Sequence, residues 1–267
     1  MPEHRPQGSL VCVGLGMTLG AHISPLSRSH IEQADVVFCG ASHALVETWV
    51  KQMHTDVRSL QVYYQEGKDR RETYRQMVDA MLNEVRAGKR VVGAFYGHPG
   101  VFALAPHRAI EQAKREGFAA HMEPGISAEA CLYADMGIDP GRVGCQHYEA
   151  SQFMIYQRQI DTSAYLILWQ IGIAGDQTLQ RFSSSQAHRQ VLQQVLLDRY
   201  TADHQVAIYE APTLPVHEPR ISWCALGELA AQSIMQHSTL VVPPSRLATP
   251  NSAIRALLHG LDQDEMG

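Results

Sequence analysis

The chain has 267 residues, 45% of them apolar and 18% charged, with a formal net charge of −5. That composition supports a sizeable core rather than a disordered chain, and the lack of a dense basic run argues against nucleic acid or an anionic membrane surface as partner. Five scattered cysteines with no CxxC pair argue against a disulfide framework or zinc knuckle, the polar stretch before Ser9 lacks a signal peptide's apolar core, and no apolar run approaches the ~20 residues of a membrane span, so a cytoplasmic protein is expected.

In chain order, Ser9–Val13 reads as a short apolar strand ending in Gly14-Leu15-Gly16. A helix is expected over 24–34, a strand over 36–39, a helix over 43–53 and an extended stretch over 57–63. The clearest helix runs from Arg70 to Ala87, with Tyr74, Met77, Val78, Met81, Leu82 and Val85 on one stripe and Gly88 as its stop. The continuous apolar run from Arg90 to Phe95 predicts a parallel strand buried on both faces. It turns abruptly at Tyr96-Gly97-His98-Pro99-Gly100, which brings backbone close to whatever occupies the crevice at that strand end. A helix over 109–115 and a strand over 117–122 follow, ending in Glu123-Pro124-Gly125-Ile126-Ser127-Ala128.

This alternation predicts an α/β fold with a parallel sheet. From about Ser127 the pattern changes. A helix over 128–136 leads into a loop rich in Gly and Pro. Strands are expected over 165–171, 205–210, 220–226 and 238–242, with a helix over 187–200, as in a second α/β domain with more antiparallel pairing. The expected division is residues 1–126, 127–250, and a short helix and acidic tail over 251–267.

Four stretches in this order carry a resemblance: Val11-Cys12-Val13-Gly14-Leu15-Gly16, residues 96–102, residues 123–128, and Ile208-Tyr209-Glu210-Ala211-Pro212. Together they resemble the tetrapyrrole methylase superfamily, whose class III methyltransferase fold holds S-adenosylmethionine in a cleft between two domains. That superfamily usually has Pro-Gly-Asp after its first glycine loop, where this chain continues Met17-Thr18-Leu19, and Gly-Asp-Pro where this chain has Gly97-His98-Pro99. The departures match one branch: the chain looks like the borosin peptide backbone α-N-methyltransferases, close to the bacterial split type. The run 63–74 carries that branch's catalytic pattern, and the resemblance implies Tyr64, Arg70 and Tyr74 as catalytic residues, with Tyr96 beside them.

The resemblance also implies a separate precursor peptide as substrate, since only a short tail follows Val242. It further implies repeated methylation of one peptide and a homodimer, or a heterotetramer once two peptides are bound. Other readings are a tetrapyrrole C-methyltransferase, and a noncatalytic protein that grips a peptide on the same fold.

The residue types suit the chemistry. A peptide nitrogen is a poor nucleophile because its lone pair is delocalised into the carbonyl. Tyrosine, with a reference pKa of about 10, becomes a better base beside a guanidinium. Arg70 and Tyr74 are four apart and share a helix face. Arg70 also sits in a first turn, where the helix dipole disfavours a cation and a partner is needed. Tyr64 and Tyr74 are expected to bind and deprotonate the amide, and Arg70 or Tyr96 to stabilise the carbonyl oxygen. In isolation Tyr74 would be a core aromatic and Arg70 a solvated residue; the ordered set gives them meaning.

By the same resemblance, Gly14, Gly16, Tyr96, His98, Val101, Phe102, Ser127 and Ala128 line one side of the S-adenosylmethionine cleft. Gln170, Tyr209, Ala211, Ser238 and Thr239 line the other. The 14 histidines include no HExxH motif or Cys/His cluster with ligand spacing, so no metal is expected. Glu129 and Asp135 are expected to be solvated, and Cys131 and Cys145 to be small apolar fillers.

Overall fold

A computed structural model describes residues 8–41 and 43–265; the polar stretch 1–7 lies outside the described residues. The first half comprises β1 (Ser9–Gly14), α1 (Pro25–Gln33), β2 (Val36–Gly40), α2 (Ala44–Met53), β3 (Val57–Ser59), α3 (Arg70–Arg86), β4 (Arg90–Phe95), α4 (Leu104–Arg115) and β5 (Ala119–Met122). The second comprises α5 (Ala128–Met136), α6 (Pro140–Val143), β6 (Cys145–Glu149), α7 (Ala150–Ile155), β7 (Tyr165–Trp169), α8 (Gln186–Leu197), β8 (Gln205–Glu210), β9 (Arg220–Ala225), β10 (Thr239–Val242) and α9 (Ser252–Glu265).

Among the described residues, β3-β2-β4-β1-β5 form a wholly parallel sheet. Its three central strands, β2, β4 and β1, are covered on both faces, which is why they read as apolar runs. Leu10 and Cys12 of β1, Val36 and Phe38 of β2, and Val91 and Phe95 of β4 pack towards α3 and α4. The alternate residues Val13, Val37, Cys39, Val92 and Ala94 pack towards α1 and α2. Burial pushes the Cys12 thiol up to about 12, as befits an inert filler.

The second sheet has the order β6-β7-β10-β8-β9, parallel only between β6 and β7. Leu166, Leu168, Val206, Ile208 and Leu240 face a core shared with α7 and α8. Ile167, Ala207, Tyr209 and Val241 face Leu132 of α5 and Ile138.

The departures from the sequence reading have physical causes. The stretch 57–63 is a strand only to Ser59, because Leu60 plunges into the core and a 3-10 turn at Gln61–Tyr63 follows. The Ser59 hydroxyl accepts from Gln61 N–H at 3.2 Å, and Tyr64 N–H donates to the Gln61 carbonyl at 3.0 Å. The chain thereby leaves the sheet with Tyr64 turned towards α3. The expected loop beyond Met136 holds α6, β6 and α7. Every residue of β6 is only half-buried, and its polar side chains carry no apolar period. Helix α4 begins at Leu104 rather than 109, and β5 starts at Ala119 rather than 117. The helix α9 runs to Glu265 through much of the stretch read as a tail.

Chain direction reverses between β1 and β4. The chain leaves β1 towards β2 on one side, and leaves β4 towards β5 on the other. Open parallel sheets bind ligands in the crevice at such a switch point, outside the strands' carboxyl ends. Here the floor of that crevice is backbone. Gly16 and Gly97 exchange hydrogen bonds of 3.2 and 2.8 Å. A Cβ on Gly14 would lie 2.5 Å from the Gly97 oxygen, and one on Gly125 would lie 2.4 Å from that oxygen and 2.8 Å from Gly14 Cα. Gly97 itself has φ +65°, a conformation that favours glycine.

Gly125→Ala should therefore force backbone apart and cost about 1–3 kcal/mol, the usual penalty for overpacking. Thermal unfolding of the variant checks this, and an unchanged midpoint would contradict the contact.

Candidate active site

The first turn of α3 is capped by Asp69, whose carboxylate accepts from Arg71 N–H at 2.8 Å. This cap sets Arg70 and Tyr74 one turn apart on the face towards Tyr64. The Tyr64 and Tyr74 rings meet edge to face, centroids 6.4 Å apart at 84°. Burial pushes the Tyr64 phenol well above its ordinary value, helped by Tyr74 and Tyr96; the Arg70 charge opposes this more weakly. Tyr96 is half-exposed (51%) on the crevice wall, yet desolvation and Tyr74 hold its phenol up too. Tyr64 thus lies within electrostatic reach of the other three residues implied by the resemblance, and Tyr96 within reach of Tyr74.

Arg70 has the partner its helix position demanded, and it comes from the other half of the molecule. The residue is 9% exposed. Its Nη1 donates to the Arg181 carbonyl at 2.9 Å, its Nη2 lies 3.6 Å from Asp176, and its backbone N–H donates to the Leu179 carbonyl at 3.0 Å. Burial pushes the Asp176 carboxyl up. The Thr178 hydroxyl, the N–H groups of Arg181 and Thr178, and Arg70 outweigh that push and hold it below the usual aspartate range. The segment 176–182 is thereby clasped over the start of α3, with Gly67 N–H donating to Gln180 at 3.0 Å and the Phe182 ring 6.5 Å from Tyr64. Sequence reasoning did not single out Asp176 or Phe182. The signal available was Asp176 two residues before Thr178, a turn pattern that names no partner.

The positions expected to line a cofactor cleft fall in two sets, one from each half of the chain. At the end of the first sheet stand Gly14, Gly16, Tyr96, His98, Val101 and Phe102, then Ser127 and Ala128 at the start of α5. His98 Nδ1 accepts from Gly100 N–H at 2.9 Å, which fixes the turn. Ser127 caps α5. Phe102, at φ +51° and 47% exposed, has its ring 5.6 Å from that of Trp169 at the end of β7.

Gln170 follows Trp169 with φ +60°, and the next residue, Ile171, donates to the Ser238 carbonyl at 3.0 Å. The Ser238 hydroxyl is buried and donates to Glu210, which also takes Arg220 Nη1 at 2.8 Å. Thr239 lies buried opposite Tyr209. The Tyr209 side chain is buried in the core and donates to Asp135 at 2.7 Å, which leaves its backbone as the part free to meet a ligand. Ala211 borders a cavity of about 240 Å³, lined also by His43, Arg220 and His237. The two sets are stitched beside it by Leu19 N–H to the Thr213 carbonyl at 2.9 Å and the Thr18 hydroxyl to the Pro212 carbonyl at 3.1 Å.

Asp135 is exposed, as expected, and Glu129 half-buried, yet both carboxylates also accept hydrogen bonds from tyrosines. Asp135 holds Tyr209, while Glu129 accepts from the Tyr133 hydroxyl at 3.1 Å. Tyr133 is itself 2.7 Å from His147 Nε2, and Trp169 Nε1–H donates to His147 Nδ1 at 3.1 Å. Burial holds the His147 pKa below its ordinary value, so the ring is neutral in this chain of hydrogen bonds.

Residues 9–229 match the family model of the Tetrapyrrole (Corrin/Porphyrin) Methylases. The chain is 42% identical to a methyltransferase/ribosomally synthesized cyclic peptide gymnopeptides precursor of Gymnopus fusipes, over 97% of this chain and 63% of that protein. It is 38% identical to the corresponding omphalotin A precursor of Omphalotus olearius, over 94% of this chain and 61% of that protein. The chain therefore spans a little under two thirds of these relatives' length. They are fungal proteins whose names join methyltransferase and precursor, rather than the bacterial split type the sequence suggested. Among solved structures, uroporphyrin-III-C-methyltransferase from Thermus thermophilus superposes with a TM-score of 0.63 at 17% identity, over 89% of this chain and 93% of that one. A cobalt precorrin-4 methyltransferase gives the same score and identity, over 88% of this chain and 94% of that one. With the parallel sheet, its switch-point crevice and the second antiparallel sheet in place, the chain belongs to the tetrapyrrole methylase family.

Proposed function

We propose that the chain is an S-adenosylmethionine-dependent methyltransferase acting repeatedly on backbone amides of a peptide. The observation that carries this reading is the convergence of Tyr64, Tyr74 and Tyr96 beside the switch-point crevice, in a chain whose relatives are named as methyltransferase and cyclic peptide precursor.

The crevice suits S-adenosylmethionine. Its floor is glycine backbone, which lets a ligand approach closely, and its wall carries two half-exposed rings, Tyr96 and Phe102, whose faces favour a cation. The backbone of Tyr209, with Ala211 and the cavity beside it, suits the nucleoside end; that cavity is smaller than the ~300 Å³ of a whole ligand pocket and would take part of the molecule. When bound, S-adenosylmethionine supplies an electrophilic methyl group.

The chain's own residues do the rest. Tyr64 and Tyr74 hold the amide N–H and remove its proton. Tyr96, which reaches the open cleft, donates to the peptide carbonyl. Arg70 is a positioning residue: engaged by Asp176 and the Arg181 carbonyl, it fixes the segment that sets Phe182 against Tyr64. The raised Tyr64 pKa has a consequence. The phenolate is scarce at neutral pH but a stronger base once formed, which suits a very weak acid such as an amide.

The peptide is offered as a separate chain, in contrast to the fungal relatives, whose names join methyltransferase and precursor in one protein. The enzyme works as a homodimer, a reading supported by the exposed apolar stripe Ile254, Leu257, Leu258 and Leu261 on α9. Among the described residues no helix is long and apolar enough to cross a membrane. The reading for location remains the cytoplasm.

Tandem mass spectrometry of a precursor peptide encoded beside this gene, co-expressed with the enzyme, should show added methyl groups on backbone nitrogen. Methyl groups on side chains, or none, would overturn the reading. Tyr74→Phe should lower turnover about 10²–10⁴-fold with S-adenosylmethionine binding retained, as for loss of a general base. A noncatalytic peptide-binding protein would be indifferent to that change. Because the Tyr64 pKa is raised, a step that needs its phenolate should speed up roughly tenfold per pH unit between about pH 7 and pH 9. Single-turnover rates across that range check the slope, and Tyr64→Phe should flatten it.

A further inference from the structure

Outside the crevice, three residues from two elements converge on the far side of β5. His30 lies in the last turn of α1, His121 on β5, and Glu123 directly after β5. β5 is an edge strand paired only with β1, among the described residues, with His121 opposite Val11. Its neighbour Ala120 packs into the core beneath α3 and α4, so His121 stands on the opposite face, where α1 lies. The Glu123 carboxylate oxygen Oε1 is 3.0 Å from His121 Nε2 and 3.6 Å from His30 Nε2. The two imidazoles meet edge to face at 5.7 Å. Each of the three residues offers one ligand atom, and these atoms all lie within 4.8 Å of one another; no other such group exists among the described residues.

The spacing matches a coordination shell. Zinc bonds to His nitrogen and carboxylate oxygen at about 2.0–2.2 Å, so neighbouring ligand atoms in a tetrahedral shell sit roughly 3.3–3.5 Å apart. The two carboxylate–imidazole distances bracket that value, and the two histidine ligand atoms, within 4.8 Å of each other, would close in on a bound ion. A hydrogen bond accounts for the His121–Glu123 contact, whereas His30 Nε2, 3.6 Å from the same oxygen, lies beyond hydrogen-bond distance and is not explained that way. The start of Glu123 is also fixed, its backbone N–H donating to the Cys12 carbonyl of β1 at 2.8 Å. His121 is 52% exposed, which leaves an entry path and a fourth position open to water.

We propose that His30, His121 and Glu123 form a binding site for a divalent transition-metal ion of the zinc class, joining the edge strand β5 to α1. The ion would be structural, with no part in methyl transfer. Its place gives it a consequence: Glu123 is two residues from Gly125, so pinning it steadies one of the three glycines that form the crevice floor.

Equilibrium dialysis of the full chain against zinc chloride at about pH 7.5, where imidazoles are mostly neutral, tests the site. The wild type should hold zinc at one tight site per chain and unfold at a higher temperature with zinc present. His30→Ala, His121→Ala and Glu123→Gln should each weaken that binding tenfold or more. Circular dichroism separates lost ligation from lost folding, and His121→Ala is the most informative variant because its side chain is half in solvent. With cobalt(II), the wild type should give visible absorption bands that His121→Ala lacks. Zinc held equally by the wild type and all three variants would assign it to other histidines and overturn the proposal. So would a wild type that holds none.

Discussion

The constraint on which the rest depends is the backbone contact among Gly14, Gly97 and Gly125. These residues end or follow β1, β4 and β5, and no side chain fits between them. The contact closes the floor of the crevice where chain direction reverses, and it brings the turn after β4 over the end of β1. That turn carries Tyr96, His98 and Phe102. Their positions follow from a place where side chains are excluded, and this exclusion explains why a polar, reactive edge can stand directly on a tightly packed parallel sheet.

A second constraint acts across the two sheets. An arginine in the first turn of a helix faces an unfavourable dipole, and one that is 9% exposed also loses hydration. Arg70 is tolerated because Asp176 and two carbonyls of the segment 176–182 surround it. The pair is worth more as a registration device than as stabilisation, since desolvation offsets much of the attraction in buried ion pairs. It fixes where the second half sits against α3. Phe182 on Tyr64 and Phe102 on Trp169 repeat the same connection in apolar form.

Much of this was legible in the sequence, for a definable reason. Strands covered on both faces announce themselves as apolar runs, and α3 shows its stripe because one face meets the core. The glycine loops and the tyrosine–arginine–tyrosine set were visible as an ordered pattern. β6 was not, because an edge strand with half-buried polar residues has no period to read. Nor was the 3-10 turn before Tyr64, since Val62 and Tyr63 look like strand residues until Leu60 is seen to enter the core. Asp176 and the His30–His121–Glu123 cluster stayed hidden for a different reason. Their partners are distant in sequence, and only the fold brings them together.

The environment of Tyr64 reverses one part of the chemical expectation and sharpens the rest. A guanidinium four residues before Tyr74 suggested a tyrosine with a lowered pKa. Burial dominates instead, and Arg70, spent on Asp176, opposes it only weakly. A base tuned close to neutrality would be abundant but too weak to take a proton from an amide. A phenol held high, packed edge to face with a second phenol and near a third, gives up abundance for strength. Under the proposed function the tyrosine cluster is a proton acceptor made strong by partial desolvation rather than a site with a standing negative charge, and the segment 176–182 that Arg70 holds in place contributes Phe182 to that desolvation.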